Sequence, residues 1–254
     1  MHRSNRTSAS LGALAASIVL ATPIGLHSNL SLTVEASISE HDASKERNMA
    51  QTLSNKQKAI APIAAYTAVG DMPKPDAALN QGLDAGLSIN DCKEILVQLY
   101  AYAGFPRSLN ALGELMKVLD ARKQRGIQDT LGESAAVPTT AESLSIGTAN
   151  QTKLAGAPVK GPLFEFAPEI DQFLKAHLFG DIFARANLDW QSRELATVGA
   201  LAAMTGVEAQ LQAHVHISMN VGLTAAQLAE FAQVLNDQGE VAAGKRIQTI
   251  LDRQ

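Results

Sequence analysis

The sequence is poor in cysteine, in aromatic residues and in charge. One cysteine, Cys92, stands among 254 residues, which excludes an intrachain disulfide, a Cys-x-x-Cys redox pair and a zinc site built on several thiolates. Aromatic residues make up 4% of the chain, which disfavours base-stacking platforms and β-sandwich cores. The net charge is −4 and no basic stripe is present, so we expect no nucleic-acid partner.

Hydrophobic residues are abundant, at 46% of the chain, which is enough for a sizeable core. They recur at helical spacing on both sides of residues 126–162, a segment rich in Gly, Pro, Ser and Thr that has no long periodic pattern. No part of the chain has a convincing strand pattern. We therefore predict an all-α fold in which two related helical-bundle units, residues 50–125 and 163–254, are joined by an irregular connector that packs across the surface.

The N-terminus has the order of a secretory signal peptide. Basic residues at 2–6 precede an apolar run from Leu11 to Leu26, and the small-x-small pattern that ends at Ala36 is typical of a signal peptidase site. We predict a signal peptide at residues 1–36 and a periplasmic or secreted mature protein that has no other contact with a membrane. A retained amphipathic anchor stays the alternative, although the run is short for a membrane span.

An internal repeat links the two predicted units. Residues 85–92 and 221–228 share one pattern at an offset of 136 positions (222 − 86). In each copy a glycine, Gly86 or Gly222, ends one helix, and a Ser or Thr two residues later begins the next with a capping-box pattern. A duplicated helical unit explains both copies.

The repeat also bears on the one thiol. Cys92 in the first copy corresponds to Leu228 in the second, so the position favours an apolar side chain. A lowered thiol pKa near a helix start is conceivable, but neither a second cysteine nor a neighbouring histidine supports it. We predict that Cys92 is packed and chemically inert.

Residues 208–220 contain an unusual number of polar side chains. Polar and apolar residues alternate there, which by period alone indicates a strand, but the Ala, Gln, Leu and Met content and the caps on both sides favour a helix. On a helix Gln210 and His214 share one face, while His216 points about 200° away from His214, so the two histidines cannot clamp a metal on one face. Such a helix lines either a cavity or an oligomer interface.

Residues 100–112 read Tyr-Ala-Tyr-Ala-Gly-Phe-Pro-Arg-Ser-Leu-Asn-Ala-Leu. This segment resembles the YAGFP-x-x-LNAL stretch of the carboxymuconolactone decarboxylase-like family, which also contains the alkylhydroperoxidase D peroxidases. Residues 193–224 look like another copy of the family's domain, and residues 173–183 resemble the segment that introduces it in tandem members. The resemblance covers roughly residues 50–254. It implies an all-α, alkylhydroperoxidase D-like fold, a tandem arrangement, and assembly into homo-oligomers, either trimers or hexamers.

Peroxidase members of that family carry a glutamate, then a Cys-x-x-Cys, then a histidine four residues after the second cysteine. In this chain the glutamate corresponds to Glu194 and the histidine to His214, while the two cysteine positions hold Val207 and Gln210. The resemblance therefore implies an acid–base couple in the second unit without the disulfide chemistry, because neither valine nor glutamine can act as a peroxidatic thiol.

From these residues we expect an enzyme that needs neither a cofactor nor a metal, of the decarboxylase or isomerase type, acting on a small lactone or carboxylic acid. Glu194 and His214 are the predicted catalytic pair. The predicted substrate-binding residues are polar and come from both units: Tyr100, Arg107, Gln210 and His216. The guanidinium of Arg107 has the planar shape that suits a substrate carboxylate.

Two other functions stay open at this point. A peroxiredoxin-like antioxidant requires Cys92 to react, and a non-catalytic oligomeric binding module uses residues 208–220 as an interface. At the level of single residues, Glu194 is equally well explained as a surface carboxylate near a helix start, and Tyr102 as a core residue.

Overall fold

Every regular element in the computed structural model is a helix. The structure describes residues 52–71, 73–135 and 142–253, and these ranges contain no strand, which confirms the predicted all-α class. The predicted signal peptide lies outside the described residues. Within them, no helix is both long enough and apolar enough to cross a membrane.

In chain order the helices are α1 (Asn55–Val69), α2 (Pro73–Asp84), α3 (Ile89–Ala103), α4 (Phe105–Gln124), α5 (Ser143–Ala155), α6 (Pro162–Phe166), α7 (Pro168–Phe173), a π-helical segment (Leu174–Ile182), α8 (Trp190–Ala203), α9 (Glu208–Asn220), α10 (Ala225–Asp237) and α11 (Val241–Leu251).

Helices α1 and α8 pack against each other at the centre of the main core. Residues 60–68 of α1 and 192–202 of α8 are buried without interruption, which is expected of helices that are enclosed on all sides. Small side chains let the two backbones approach, since a Cβ atom added to Gly199 would lie 3.1 Å from the Cβ of Ala64. As a result Glu194, in the first half of α8, lies in the protein interior.

The helix starts and stops that the repeat predicts are present in both copies. Ser88 and Thr224 each begin a helix with a complete capping box. Gly86 and Gly222 precede them with φ angles of 95° and 100°, a left-handed conformation that favours glycine. These local signals are confirmed, while the duplication of a whole unit stays a prediction.

The connector differs from its predicted irregular character. Residues 143–155 within it form α5, although the segment is rich in Ser, Thr and Gly. Packing rather than helix propensity explains the difference, because α5 lies directly on the π-helical segment. A Cβ atom on Gly147 would lie 1.6 Å from the carbonyl oxygen of Lys175, so a glycine that suggests a loop is required for close contact.

A second, smaller core joins α5 to the π-helical segment. Leu154 of α5 packs with four residues of that region: Leu178, Phe179, Ile182 and Phe183. The side-chain amide of Asn150 donates to the carbonyl oxygen of Phe179 at 2.9 Å. This arrangement fixes one wall of a cavity whose opposite wall is α9.

Candidate active site

Glu194 and His214 are in direct contact. The Nδ1 atom of His214 lies 2.8 Å from Oε2 of Glu194. The glutamate is fully buried and the histidine is 8% exposed. Helices α8 and α9 follow each other along the chain, and the turn between them brings the two side chains together.

The contact fixes which nitrogen of His214 is basic. A carboxylate only accepts hydrogen bonds, so Nδ1 carries the proton and Nε2 is the basic nitrogen of the neutral ring. Among the described residues Nε2 has no hydrogen-bond partner, and it is not one of the enclosed polar atoms. It therefore faces the cavity that His214 lines.

Tyr102, at the end of α3, completes the buried part of the site. Its ring meets the imidazole of His214 edge-on, with the ring centroids 5.5 Å apart and the planes at 83°. In the described structure both the Tyr102 hydroxyl and Oε1 of Glu194 are buried without a hydrogen-bond partner. Burial, and after it the negative charge of Glu194, raises the pKa of Tyr102 above its ordinary value, so the phenol stays neutral.

His214 borders a cavity of about 640 Å³, a volume typical of small-molecule sites, and Glu194 lies behind it in the interior. No Lys, Arg, Asp or Glu is among the described residues that line it. The polar lining residues are Tyr102, Gln151, Gln210, His214, His216 and Asn220. The apolar ones are Ala101, Ala155, Val159, Leu163, Phe164, Ile170, Leu174, Leu178, Phe179, Leu201, Val207, Ala213 and Ile217.

Comparison with known protein families places this site in context. Residues 168–244 match the model of the carboxymuconolactone decarboxylase family. Over these residues the chain is carboxymuconolactone decarboxylase-like. The match runs from α7 into α11 and includes both Glu194 and His214. A comparison with curated proteins finds no match to the chain.

The carboxymuconolactone decarboxylase-like segment corresponds to most of the predicted second unit. The predicted first unit, residues 50–125, lies outside the match, so the tandem arrangement stays a prediction. Helix α3 of that region nevertheless supplies Tyr102 to the site.

Gln210 and His216 of this segment line the cavity, and both are exposed. The Nδ1 atom of His216 donates to the carbonyl oxygen of Gln212 at 2.8 Å. Although His216 and His214 point in different directions from α9, both border the same cavity. His216 therefore lies at the open edge of the cavity and His214 in its wall.

Tyr100 and Arg107, the other two predicted substrate-binding residues, are not in the cavity lining. The ring of Tyr100 stacks on Phe105 with the centroids 4.3 Å apart. The guanidinium of Arg107 donates to the carbonyl oxygen of Ala68 at the end of α1. Arg107 thus satisfies a helix C-terminus, where a cation is favourable, instead of meeting a ligand in this cavity.

Gln151 of α5 is a lining residue that the sequence analysis did not identify. It is 4% exposed, and its carboxamide has no hydrogen bond to any described residue. Its amide atoms are not fully enclosed either, so they border the cavity. A glutamine in a segment rich in Ser, Thr and Gly gives no sequence signal of this role.

A buried polar network holds α3 against α8 beside the site. The guanidinium of Arg193 donates to Glu94 at 2.8 Å and to the carbonyl oxygen of the Gln98 side chain at 3.1 Å. The amide of Gln98 donates to the Thr197 hydroxyl at 2.9 Å, and Arg185 donates to Glu94 at 2.8 Å. These bonds fix the register of the two helices that carry Tyr102 and Glu194.

Cys92 has no part in the site. It is buried, and burial is the main reason that its pKa is raised to about 12. This confirms the predicted packed thiol and argues against an antioxidant function that depends on it. In the part of the chain that the structure describes, no group of three or more His, Cys, Asp or Glu side chains could hold a metal ion.

Proposed function

We propose that this carboxymuconolactone decarboxylase-like protein is a cofactor-free acid–base enzyme, of the decarboxylase or isomerase type, that acts on a small lactone or carboxylic acid. The observation that carries the proposal is the 2.8 Å contact between Glu194 and His214. It presents the free nitrogen of an oriented imidazole to a largely apolar cavity of about 640 Å³.

The proposed chemistry is proton transfer at a carbon next to the substrate carbonyl. In an isomerisation, Nε2 of His214 takes the proton, the C–H bond breaks, and its electron pair moves onto the carbonyl oxygen as an enolate. For a substrate with a C=C bond next to the deprotonated carbon, the imidazolium then returns the proton to the far carbon of that bond, and the double bond moves into conjugation with the carbonyl. In a decarboxylation, His214 first takes a proton from water at Nε2; the C–C bond to the carboxylate then breaks, carbon dioxide leaves, the electron pair moves onto the neighbouring carbonyl as an enolate, and the imidazolium gives its Nε2 proton to the carbon. In both cases Glu194 stays ionised, orients the ring and stabilises its charged form.

Exchange of substrate hydrogen for deuterium tests this proposal before any product is known. The protein is incubated in D2O with a panel of small lactones and ketones, and deuterium uptake next to the carbonyl is followed by NMR. Replacing His214→Gln should lower the exchange rate by about 10²–10⁴-fold, the usual contribution of a general base. Glu194→Gln should also slow exchange, because it removes the charge that stabilises the imidazolium.

The chain contains a matched control for this experiment. His177 pairs with Asp181 at the same 2.8 Å distance but does not line the cavity. His177→Gln should therefore leave exchange unchanged. Equal exchange rates for wild type and His214→Gln would contradict the enzymatic proposal. No exchange with any compound would contradict the isomerase, and if the protein also released no carbon dioxide from the corresponding carboxylic acids, the result would favour a binding module.

Export and assembly into a homo-oligomer, a trimer or hexamer, remain proposals. Exposed Phe105, Leu109 and Met116 on one side of α4 support association between copies, since apolar clusters on a surface often mark interfaces. Light scattering of the chain that begins at Ser37 tests the assembly, and a monomer at all concentrations would contradict it. N-terminal sequencing of exported protein tests cleavage after Ala36.

A further inference from the structure

Gln151 is a buried residue of the cavity lining whose side-chain amide is not satisfied by any described protein atom. At 4% exposure it has lost nearly all contact with bulk solvent, yet its carboxamide makes no hydrogen bond to a described residue. Gln98, a buried glutamine on α3, is by contrast bonded at both ends of its amide. Because buried amides are almost always paired, the free amide of Gln151 indicates a partner that enters the cavity.

The charge of the cavity restricts what that partner is. None of the described lining residues is a lysine, arginine, aspartate or glutamate, and Arg107 is committed to the end of α1. A ligand carboxylate placed there would lose its water without gaining a permanent cation, which is strongly unfavourable. An uncharged oxygen loses far less on transfer and accepts a hydrogen bond from an amide N–H.

We propose that the cavity binds an uncharged, largely apolar carbonyl compound, such as a lactone with an alkyl chain, and that the side-chain amide of Gln151 donates to its oxygen. The apolar lining, which includes Leu163, Phe164 and Ile170, takes the hydrocarbon part. The proposal rests on the proposed function in one respect: for an uncharged substrate, isomerisation replaces decarboxylation as the reaction at His214.

A matched pair of probes separates charge from size. δ-Decalactone and its ring-opened form, 5-hydroxydecanoate, have the same carbon skeleton, and only the second carries a carboxylate. Binding of each probe to the purified protein is measured by titration calorimetry at pH 7. We expect the lactone to bind at least about tenfold more tightly than the hydroxy acid.

Variants of two glutamines then test the contact itself. Gln151→Leu should weaken lactone binding by about tenfold, the value of one hydrogen bond to a buried group. Gln212→Leu is the control, because Gln212 lies on α9 but is exposed and does not line the cavity. Thermal unfolding of both variants checks that the fold is intact, and Gln151→Asn provides a second, polar replacement that should recover part of the affinity if a leucine disturbs packing.

The outcomes distinguish this inference from the proposed function. Equal or tighter binding of the hydroxy acid, or equal affinities of the Gln151 and Gln212 variants for the lactone, would overturn the inference. Lactone binding that depends on Gln151 without any deuterium exchange would support the inference and reject the enzyme. Deuterium exchange of a carboxylate substrate, with no binding of the lactone, would support the enzyme and overturn the inference.

Discussion

The two oxygens of the Glu194 carboxylate have different surroundings. Oε2 accepts a hydrogen bond from His214, and Oε1 is buried with no partner among the described residues. An unsatisfied buried oxygen on a charged group destabilises a fold by about 1–3 kcal/mol or more. The neighbours of Glu194 on α8, from Leu195 to Leu201, are almost all apolar, so packing alone does not require a carboxylate there. The proposed proton transfer at His214 supplies a reason for a carboxylate at this position.

Tyr102 allows a test of stability at the level of one atom. Because its hydroxyl is buried without a hydrogen bond of normal geometry, Tyr102→Phe removes an unsatisfied polar atom and keeps the ring against His214. We expect the free energy of unfolding to stay equal or to rise by up to about 1 kcal/mol. Tyr102→Ala removes the ring as well and should lower it by about 3–5 kcal/mol. Urea unfolding measures both, and a loss above 1 kcal/mol for the phenylalanine variant would mean that the hydroxyl has a partner.

These residues also show which contacts of single side chains can be predicted from the sequence and which cannot. Glu194 and His214 were predicted from a family pattern, and helix geometry permitted their contact without requiring it. Tyr102 was interpreted as a core residue and Gln151 was not identified, because their position beside the cavity depends on elements far apart in the chain. Arg107 was assigned to a substrate, whereas it meets Ala68 at a helix end that sequence spacing does not reveal.

Helix α5 and the π-helical segment show that packing, as well as composition, determines whether a segment forms a helix. For residues 208–220, composition and caps correctly predicted a helix against a strand-like alternation. For residues 143–155, the same signals predicted irregular chain, because Gly and Ser lower helix propensity. Here close packing stabilises the helix, and close packing is what Gly147 and Gly180 permit.

That packing predicts opposite effects for two glycines in helices. Gly147→Ala places a Cβ atom 1.6 Å from the Lys175 carbonyl oxygen, so backbone must move and stability should fall by about 1–3 kcal/mol. Gly113 of α4 has open space around it, and Gly113→Ala should stabilise the protein by about 0.5–1 kcal/mol through helix propensity. Thermal unfolding compares them. If both variants were stabilised, α5 would not lie against the π-helical segment.

At the scale of the molecule, the network around Glu94 connects α3 to α8 and to the loop before it. Burial alone would raise the pKa of Glu94, but the hydrogen bonds from Arg185 and the charge of Arg193 outweigh burial, so its pKa lies below 4.5. At pH values between the folded-state pKa and the higher unfolded-state pKa, the unfolded chain therefore binds more protons than the folded one. The stability that this carboxylate contributes is present above the unfolded pKa and is lost as the pH falls through the folded one.

Replacing Glu94→Gln should accordingly have an effect that depends on pH. At pH 7 it leaves the buried guanidinium of Arg193 without its counter-charge, and we expect a loss of about 3–5 kcal/mol in the free energy of unfolding. Below the unfolded-state pKa the unfolded wild-type chain takes up a proton that the folded one does not, so the difference between the two proteins should narrow as the pH falls toward the lower folded-state pKa. Glu114→Gln is the control, because its partner Lys117 is 75% exposed and such a pair contributes less than about 1 kcal/mol. Urea unfolding across this pH range measures all three proteins. A difference that stays constant with pH would show that Glu94 stabilises the two helices by shape and hydrogen bonding alone, not by its charge.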